Sequence, residues 1–253
     1  MAYTKLIPRF TPSANVEKIP NDEGHNALRL SIPAGPANQY RLAQLDDYAK
    51  TERGRFPLRP PVRLSLSARA SSNSLPGTWG FGLWNDPFGL SLGFGGNPFR
   101  LPTLPNAVWF FGASKESYLS FRDDKPGNGF LAQTFRSPKF HPLLIPAGLV
   151  LPFSRRTTRR FTGRVIGEDG IRLSVDVTQW HSFRLDWHED RVAFAVDDSQ
   201  IFESHVSPKS PLGVVIWIDN QFAAFTPDGQ IGFGVLENPE PVWLDIKDVE
   251  INS

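Results

Sequence analysis

The 253-residue sequence contains no cysteine, which excludes a disulfide scaffold, a thiolate metal site and a cysteine nucleophile. Long apolar runs are missing too. The greasiest stretch, residues 142–153, is too short to span a bilayer and is interrupted by prolines. The first ten residues hold nothing like the apolar core of a secretion signal, and no Asn-x-Ser/Thr acceptor occurs. A cytoplasmic protein with no membrane partner is the expectation. Charge of one sign is also lacking: 27 Lys and Arg against 26 Asp and Glu leave +1, so a nucleic-acid partner is not expected. His25, His141, His181, His188 and His205 show no His-x-x-x-His spacing, and there is no Gly-x-Ser-x-Gly elbow. No cofactor is required by any of this. Gly93-Phe-Gly-Gly96 is followed by no helix, so it reads as a rim loop rather than a dinucleotide fingerprint.

What is present is Gly, Pro and aromatics: 21 Gly, 23 Pro, 20 Phe, 7 Trp and 4 Tyr. Short apolar or alternating runs bounded by Gly, Pro, Asn and Asp predict strands and turns. Residues 62–70 place Val62, Leu64, Leu66 and Ala68 on one face and Arg63, Ser65, Ser67 and Arg69 on the other, as in a half-buried antiparallel strand. Further strands are predicted at 27–32, 171–177, 181–187, 192–196 and 242–251, with 188–190 turning a hairpin. Residues 212–218 are continuously apolar, which predicts a strand covered on both faces. Residues 40–53 read as a helix or as a strand and a turn, and the arginine-rich run 154–160 as an exposed loop. Its arginines (Arg155, Arg156, Arg159, Arg160, with Arg164 beyond) suit a phosphate, sulfate or uronate, or simply solvent. The pairs Asp46-Asp47, Asp123-Asp124 and Asp197-Asp198 read as turns. Many short strands in one stretch predict a single all-β domain, an antiparallel β-sandwich of jelly-roll type.

The order of several segments resembles the concanavalin A-like jelly roll, particularly family 16 glycoside hydrolases of the laminarinase and lichenase type. In that family a "G-x-x-E-A-R" strand precedes "G-T-W-P-A-F-W"; here Val62-Arg-Leu-Ser-Leu-Ser-Ala-Arg69 precedes Gly77-Thr-Trp-Gly-Phe-Gly-Leu-Trp84. The family's "W-H-x-Y-x-x-x-W" running into a "V-D-G" hairpin is matched by Trp180-His-Ser-Phe-Arg-Leu-Asp-Trp187 and then Val192-Ala-Phe-Ala-Val-Asp-Asp198. A last strand like "V-D-Y-V-R-V" is matched by Leu244-Asp-Ile-Lys-Asp-Val249. The resemblance implies a carbohydrate ligand and, at Asp245, a structural calcium. It departs at the catalytic strand. The family's E-x-D-x-E aligns with Asn106-Ala-Val-Trp-Phe-Phe-Gly112, which puts Ala107, Trp109 and Phe111 where carboxylates belong. Retaining hydrolysis needs two carboxyl groups roughly 5–5.5 Å apart, and these three side chains supply none.

Strand alternation then assigns faces. Trp79, Phe81, Leu83 and Asn85 share one side of their strand, and Gly80, Gly82 and Trp84 the other, where the two bare glycines predict room for a ligand beneath an aromatic shelf. Val214, Ile216 and Ile218 form a core face; Val215, Trp217 and Asp219 oppose it. Gln133 or Thr134 joins the same side. The expected ligand surface is therefore Trp84, Trp109, Phe111 and Trp217, with Asn85, Asp86, Asp219, Asn220 and Gln221 at its margin, suited to a carbohydrate or an apolar small molecule. Two alternatives remain: an enzyme using Asp86 and Asp219 as relocated acids, and an aromatic interface between subunits.

Overall fold

A computed structural model describes residues 6–20, 26–87, 103–138 and 154–253. The glycine-rich run 93–96, the apolar stretch 142–153, His25 and His141 lie outside the described residues. Strands are numbered in chain order. One sheet runs β1 (Ile7–Phe10), β4 (Leu42–Asp46), β13 (Gly213–Asp219), β6 (Thr78–Trp84), β7 (Ala107–Ala113), β8 (Gly129–Arg136) and β9 (Gly167–Arg172). The other runs β12 (Ser199–Ser204), β11 (Val192–Val196), β10 (His181–Trp187), β5 (Val62–Ala70), β16 (Val242–Asn252), β3 (Asn26–Ile32) and β2 (Asn15–Pro20). A separate hairpin pairs β14 (Gln221–Phe225) with β15 (Ile231–Val235). The strand pairings in both sheets are antiparallel, and the fold is the β-sandwich jelly roll expected.

The sandwich forms because alternation gives each sheet one apolar face. In β5 every second residue from Val62 to Ala70 is buried, and its register on β10 sets Leu64 beside Leu185 and Leu66 beside Phe183. The first sheet answers with Phe81, Leu83, Val108, Phe110, Val214, Ile216 and Ile218, all in the same core cluster. Strand β13 is buried along its whole length, as a continuous apolar run requires when both faces are covered. Residues 40–53 resolve into strand β4, a turn, and a short 3-10 turn at Arg53–Arg55. Asp197 and Asp198 take φ of 48° and 64° in the tight turn between β11 and β12, a conformation Asp tolerates better than most residues.

Two expectations fail. The run 154–160 is not a loop but the start of helix α1 (Arg155–Val165), capped by Ser154, whose Oγ accepts the Thr157 N–H at 3.3 Å. Its apolar stripe is too weak to betray it. The helix is docked instead by Arg159, 2% exposed, which donates to the main-chain carbonyls of Ser120, Phe225 and Arg122 and pairs with Asp123 at 3.1 Å. The strand expected at 171–177 is β9, ending at Arg172. Its Gly-Glu-Asp-Gly start has the composition of a turn, but pairing with β8 and the grip of Lys125 (2.6 Å) and Ser204 (2.7 Å) on Asp169 hold it extended.

Candidate functional site

Among the described residues, the face of the first sheet turned away from the sandwich core has no sister sheet over it. Alternation places Trp217 from β13, Trp84 from β6, and Trp109 and Phe111 from β7 on that face, in a second cluster separate from the core. Their centroids are close: Trp84 stacks on Trp217 at 5.9 Å and 10°, Trp109 on Phe111 at 5.0 Å and 20°, and Trp109 meets Trp217 at 5.7 Å. Thus the four aromatics read from sequence are brought together.

The room expected over Gly80 and Gly82 is not open. A Cβ at Gly82 would lie 2.6 Å from Trp109 Cβ, and one at Gly80 3.2 Å from Trp217 Cη2. The glycines let the protein's own indoles settle onto β6. Trp109, Phe111 and Trp217 are only 4%, 3% and 5% exposed. Trp84 at one end and Tyr40 at the other are half-buried, as are Leu104, Leu119 and Phe121 at the margin.

Polar groups are wired into this aromatic floor. Trp109 Nε1 donates to Gln133 Oε1 at 3.2 Å; Gln133 Nε2 donates to Glu168 Oε1 at 3.1 Å and to the Leu119 carbonyl at 3.2 Å. This settles the choice left open by parity, since Thr134 Oγ1 donates elsewhere, to the Val206 carbonyl at 2.8 Å. Glu168 accepts the Phe121 N–H at 2.7 Å, and burial still pushes its carboxyl above the usual range. On the other side Trp217 Nε1 donates to Thr78 Oγ1 at 3.1 Å, and that hydroxyl donates to Asp219 Oδ1 at 2.8 Å. Asp219 also accepts the N–H groups of Thr78 and Gln221, each at 3.2 Å, and the Tyr40 hydroxyl at 3.3 Å. Burial outweighs these bonds and raises its pKa to about 6.

The marginal residues have diverse fates. Asn85 and Asn220 are buried and committed to main chain. Asn85 accepts from the Asn106 N–H and donates to the Leu104 carbonyl, both at 3.0 Å. Asn220 accepts from the Arg41 N–H at 2.8 Å and donates to the carbonyls of Gln39 and Leu236. Gln221 is half-buried, and its Nε2 has no hydrogen-bond partner among the described residues. Asp86 and Asp219 are not brought together. Asp219 stands opposite Thr78, whereas Asp86 lies past Trp84; about 20 Å of strand separates those ends of β6 at ~3.3 Å per residue. No acid–base couple of roughly 5–10 Å spacing arises from them.

Asp245, the residue the resemblance linked to a structural calcium, is engaged by two arginines. It is fully buried, and its two oxygens take Arg29 Nε at 2.7 Å, Arg29 Nη2 at 2.9 Å and Arg69 Nε at 3.1 Å. Two guanidinium groups thus meet the charge of this carboxylate. Among the described residues no group of three or more His, Asp or Glu is placed to hold a metal ion.

Sequence reasoning missed Tyr40, Thr78, Glu168 and Asp47. Asp47 Oδ1 accepts the Val214 N–H at 2.8 Å while Oδ2 has no hydrogen-bond partner among the described residues. Burial, helped by neighbouring Asp46, raises its carboxyl to about 7. Only the adjacency of two acids hinted at it.

No family model matches the chain, and no curated protein matches it either. Solved structures similar to it include a β-glucanase of Bacillus licheniformis (11% identity, 100% of this chain and 94% of that one, TM-score 0.48). A family 16 glycoside hydrolase of Bacteroides ovatus, solved with an oligosaccharide product, shares 10% identity over 100% and 96% at TM-score 0.49. A glycoside hydrolase family protein of Mycobacterium thermorestibile shares 13% over 90% and 77% at TM-score 0.48. Residue roles are not transferred across identities this low.

Proposed function

We propose that the protein binds a carbohydrate, or a small ligand with a comparable apolar face, at the Trp84 end of the aromatic surface, and that it does not hydrolyse by a retaining mechanism. The observation that carries this reading is Trp84, half-buried and stacked on Trp217 at 5.9 Å, at the end of the aromatic array on a sheet face that no second sheet covers among the described residues. Rings of this kind stack on sugar C–H surfaces, with a few polar tips fixing orientation. Trp84 is the member of the four that is half-buried rather than buried, so it is the contact platform, backed by Trp217. Against hydrolysis stand Ala107, Trp109 and Phe111 on the strand that resembles the family's catalytic strand, and the separation of Asp86 from Asp219. An interface between subunits has less support, because three of the four rings offer a second chain almost no area.

The test is a calorimetric titration of neutral β-glucan oligosaccharides into the wild-type chain and into Trp84→Ala. One aromatic contact contributes about 0.5–1.5 kcal/mol, so affinity is expected to fall roughly threefold to tenfold. Unchanged affinity would remove the proposal, and release of reducing ends from the same oligosaccharides would remove its non-hydrolytic half.

A further inference from the structure

Helix α1 carries five arginines in eleven residues and no acid in its first turn. Arg159 faces inward and anchors the helix. Arg156, Arg160 and Arg164 recur every fourth residue and are exposed, so they form one straight stripe, with about 6 Å of rise between neighbours. Arg155 is exposed beside them. None of the four forms a salt bridge among the described residues, in contrast to Arg122 and Arg159 nearby, which pair with Asp124 and Asp123. Arg156 has one anionic neighbour, the exposed Asp228 of the β14–β15 turn. The segment preceding the helix, residues 139–153, contains no Asp or Glu at all. Nor does the helix itself call for Arg156 or Arg160: a positive side chain in the first turn opposes the macrodipole, and only Arg164, in the last turn, is favoured by it. Helix stability and the salt bridges of the described residues therefore do not account for the stripe as a whole.

Its position supplies a use. The helix borders the aromatic face: Ile166, next to its last residue, belongs to that cluster, Phe121 packs against it, and Gly163 sits so close to the Phe121 carbonyl that a Cβ would meet it at 2.7 Å. We infer that the Arg156–Arg160–Arg164 stripe binds the anionic groups of an acidic polysaccharide whose neighbouring residues occupy the aromatic face. The shared ligand chemistry is a carboxylate or sulfate ester on a sugar, each able to take paired N–H donors from a guanidinium. A nucleic acid fits less well, because the chain as a whole is balanced in charge and the basic surface is one short helix. This inference rests on the carbohydrate reading above and narrows it to an acidic glycan.

The experiment measures binding of polygalacturonate, dextran sulfate, uncharged dextran and duplex DNA to the full chain by affinity electrophoresis at low salt. It compares wild type, the triple variant Arg156→Gln/Arg160→Gln/Arg164→Gln, and a charge-matched control, Arg63→Gln/Arg184→Gln/Arg191→Gln, on the opposite sheet. Three exposed ion pairs of about 0.2–1 kcal/mol each predict a loss of about tenfold for the acidic polymers in the stripe variant, an unchanged melting temperature, and no loss in the control. Retention of polygalacturonate alone identifies the carboxylate as the group bound, retention of dextran sulfate alone the sulfate ester, and either result supports the inference. Equal losses in the stripe and control variants, no loss in either, or DNA bound as tightly as the acidic glycans with the same dependence on the stripe would overturn it. The carbohydrate reading fails separately: Trp84→Ala would leave neutral β-glucan affinity unchanged while the stripe variant still lost the acidic polymers.

Discussion

The chain builds two apolar clusters on opposite faces of the same sheet, and they are made differently. The sandwich core is mainly aliphatic, with Leu64, Leu66, Leu185, Val214 and Ile216 clamped between two seven-stranded sheets. The outer cluster is mainly aromatic, its cover comes from loops and one helix end, and three acids adjoin it: Asp47, Glu168 and Asp219, each pushed above its usual range by burial. A cluster between sheets has its shape fixed by strand geometry. A cluster on an uncovered sheet face must recruit its own lid and can accept polar groups at its edge. The first arrangement suits stability, the second recognition.

The sharpest way to break this distinction is to remove one large ring from each side. Trp187→Ala empties a fully buried core position and abandons the Nε1 bonds to Ser207 Oγ (3.1 Å) and the Pro208 carbonyl (3.2 Å). It should cost about 3–5 kcal/mol. Trp109→Ala should fall at or below the lower end, about 3 kcal/mol, because one of its ring neighbours, Trp84, is only half-buried at the margin and can shift toward the void. Urea denaturation of both variants measures the difference. Equal costs would make the aromatic face a second core and remove the contrast.

Between about pH 4 and pH 7 the pH dependence of stability follows the raised carboxyls of the outer cluster, while lowered ones such as Asp124 and Asp169 act below that range. Asp219 has its carboxyl raised from 3.8 to about 6, and Asp47 from 3.8 to about 7. A folded-state value above the unfolded one means the folded protein holds the proton more tightly. That contribution is complete below about pH 4 and is lost as pH rises through 6 and 7. For Asp219, a rise of two pH units corresponds to about 3 kcal/mol. Asp219→Asn should therefore flatten the stability profile between pH 4 and pH 6, read from urea midpoints at each pH, while Trp187→Ala should lower the whole profile without flattening it. An Asp219→Asn profile as steep as the wild type's would show that the outer cluster does not control the dependence.

What was legible in sequence follows the same division. Period-two alternation fixed the core strands almost residue by residue: 62–70 is β5, and the two faces of 213–219 separate as read. The same parity placed Trp84, Trp109, Phe111 and Trp217 together, because a strand's faces are a local property. It could not show that Gly80 and Gly82 would be filled by Trp217 and Trp109, since that depends on rings from neighbouring strands. Nor could it pair Asp86 with a partner, because their separation depends on strand register and direction. Asp245 carries the residue type of a calcium ligand, and its pairing with Arg29 and Arg69 is a tertiary contact that the sequence does not show. Helix α1 escaped for a related reason: its docking energy comes from Arg159 reaching three carbonyls distant in sequence, not from a periodic apolar stripe.

That helix gives the smallest effect and the finest test of how the outer cluster is closed. Ser154→Ala removes the cap on the Thr157 N–H and should cost about 1 kcal/mol. Because Ile166 and Phe121 sit where α1 meets the aromatic cluster, a loosened first turn should reach the rings only through Arg159, whose bonds to the carbonyls of Ser120 and Phe225 lie one turn further on. Hydrogen exchange would then change at Leu119–Phe121 and α1 while Leu185 and Phe194 in the core keep their protection. A uniform loss of protection across both clusters would mean that the lid and the core unfold as one unit, and that the outer cluster has no stability of its own to trade for ligand.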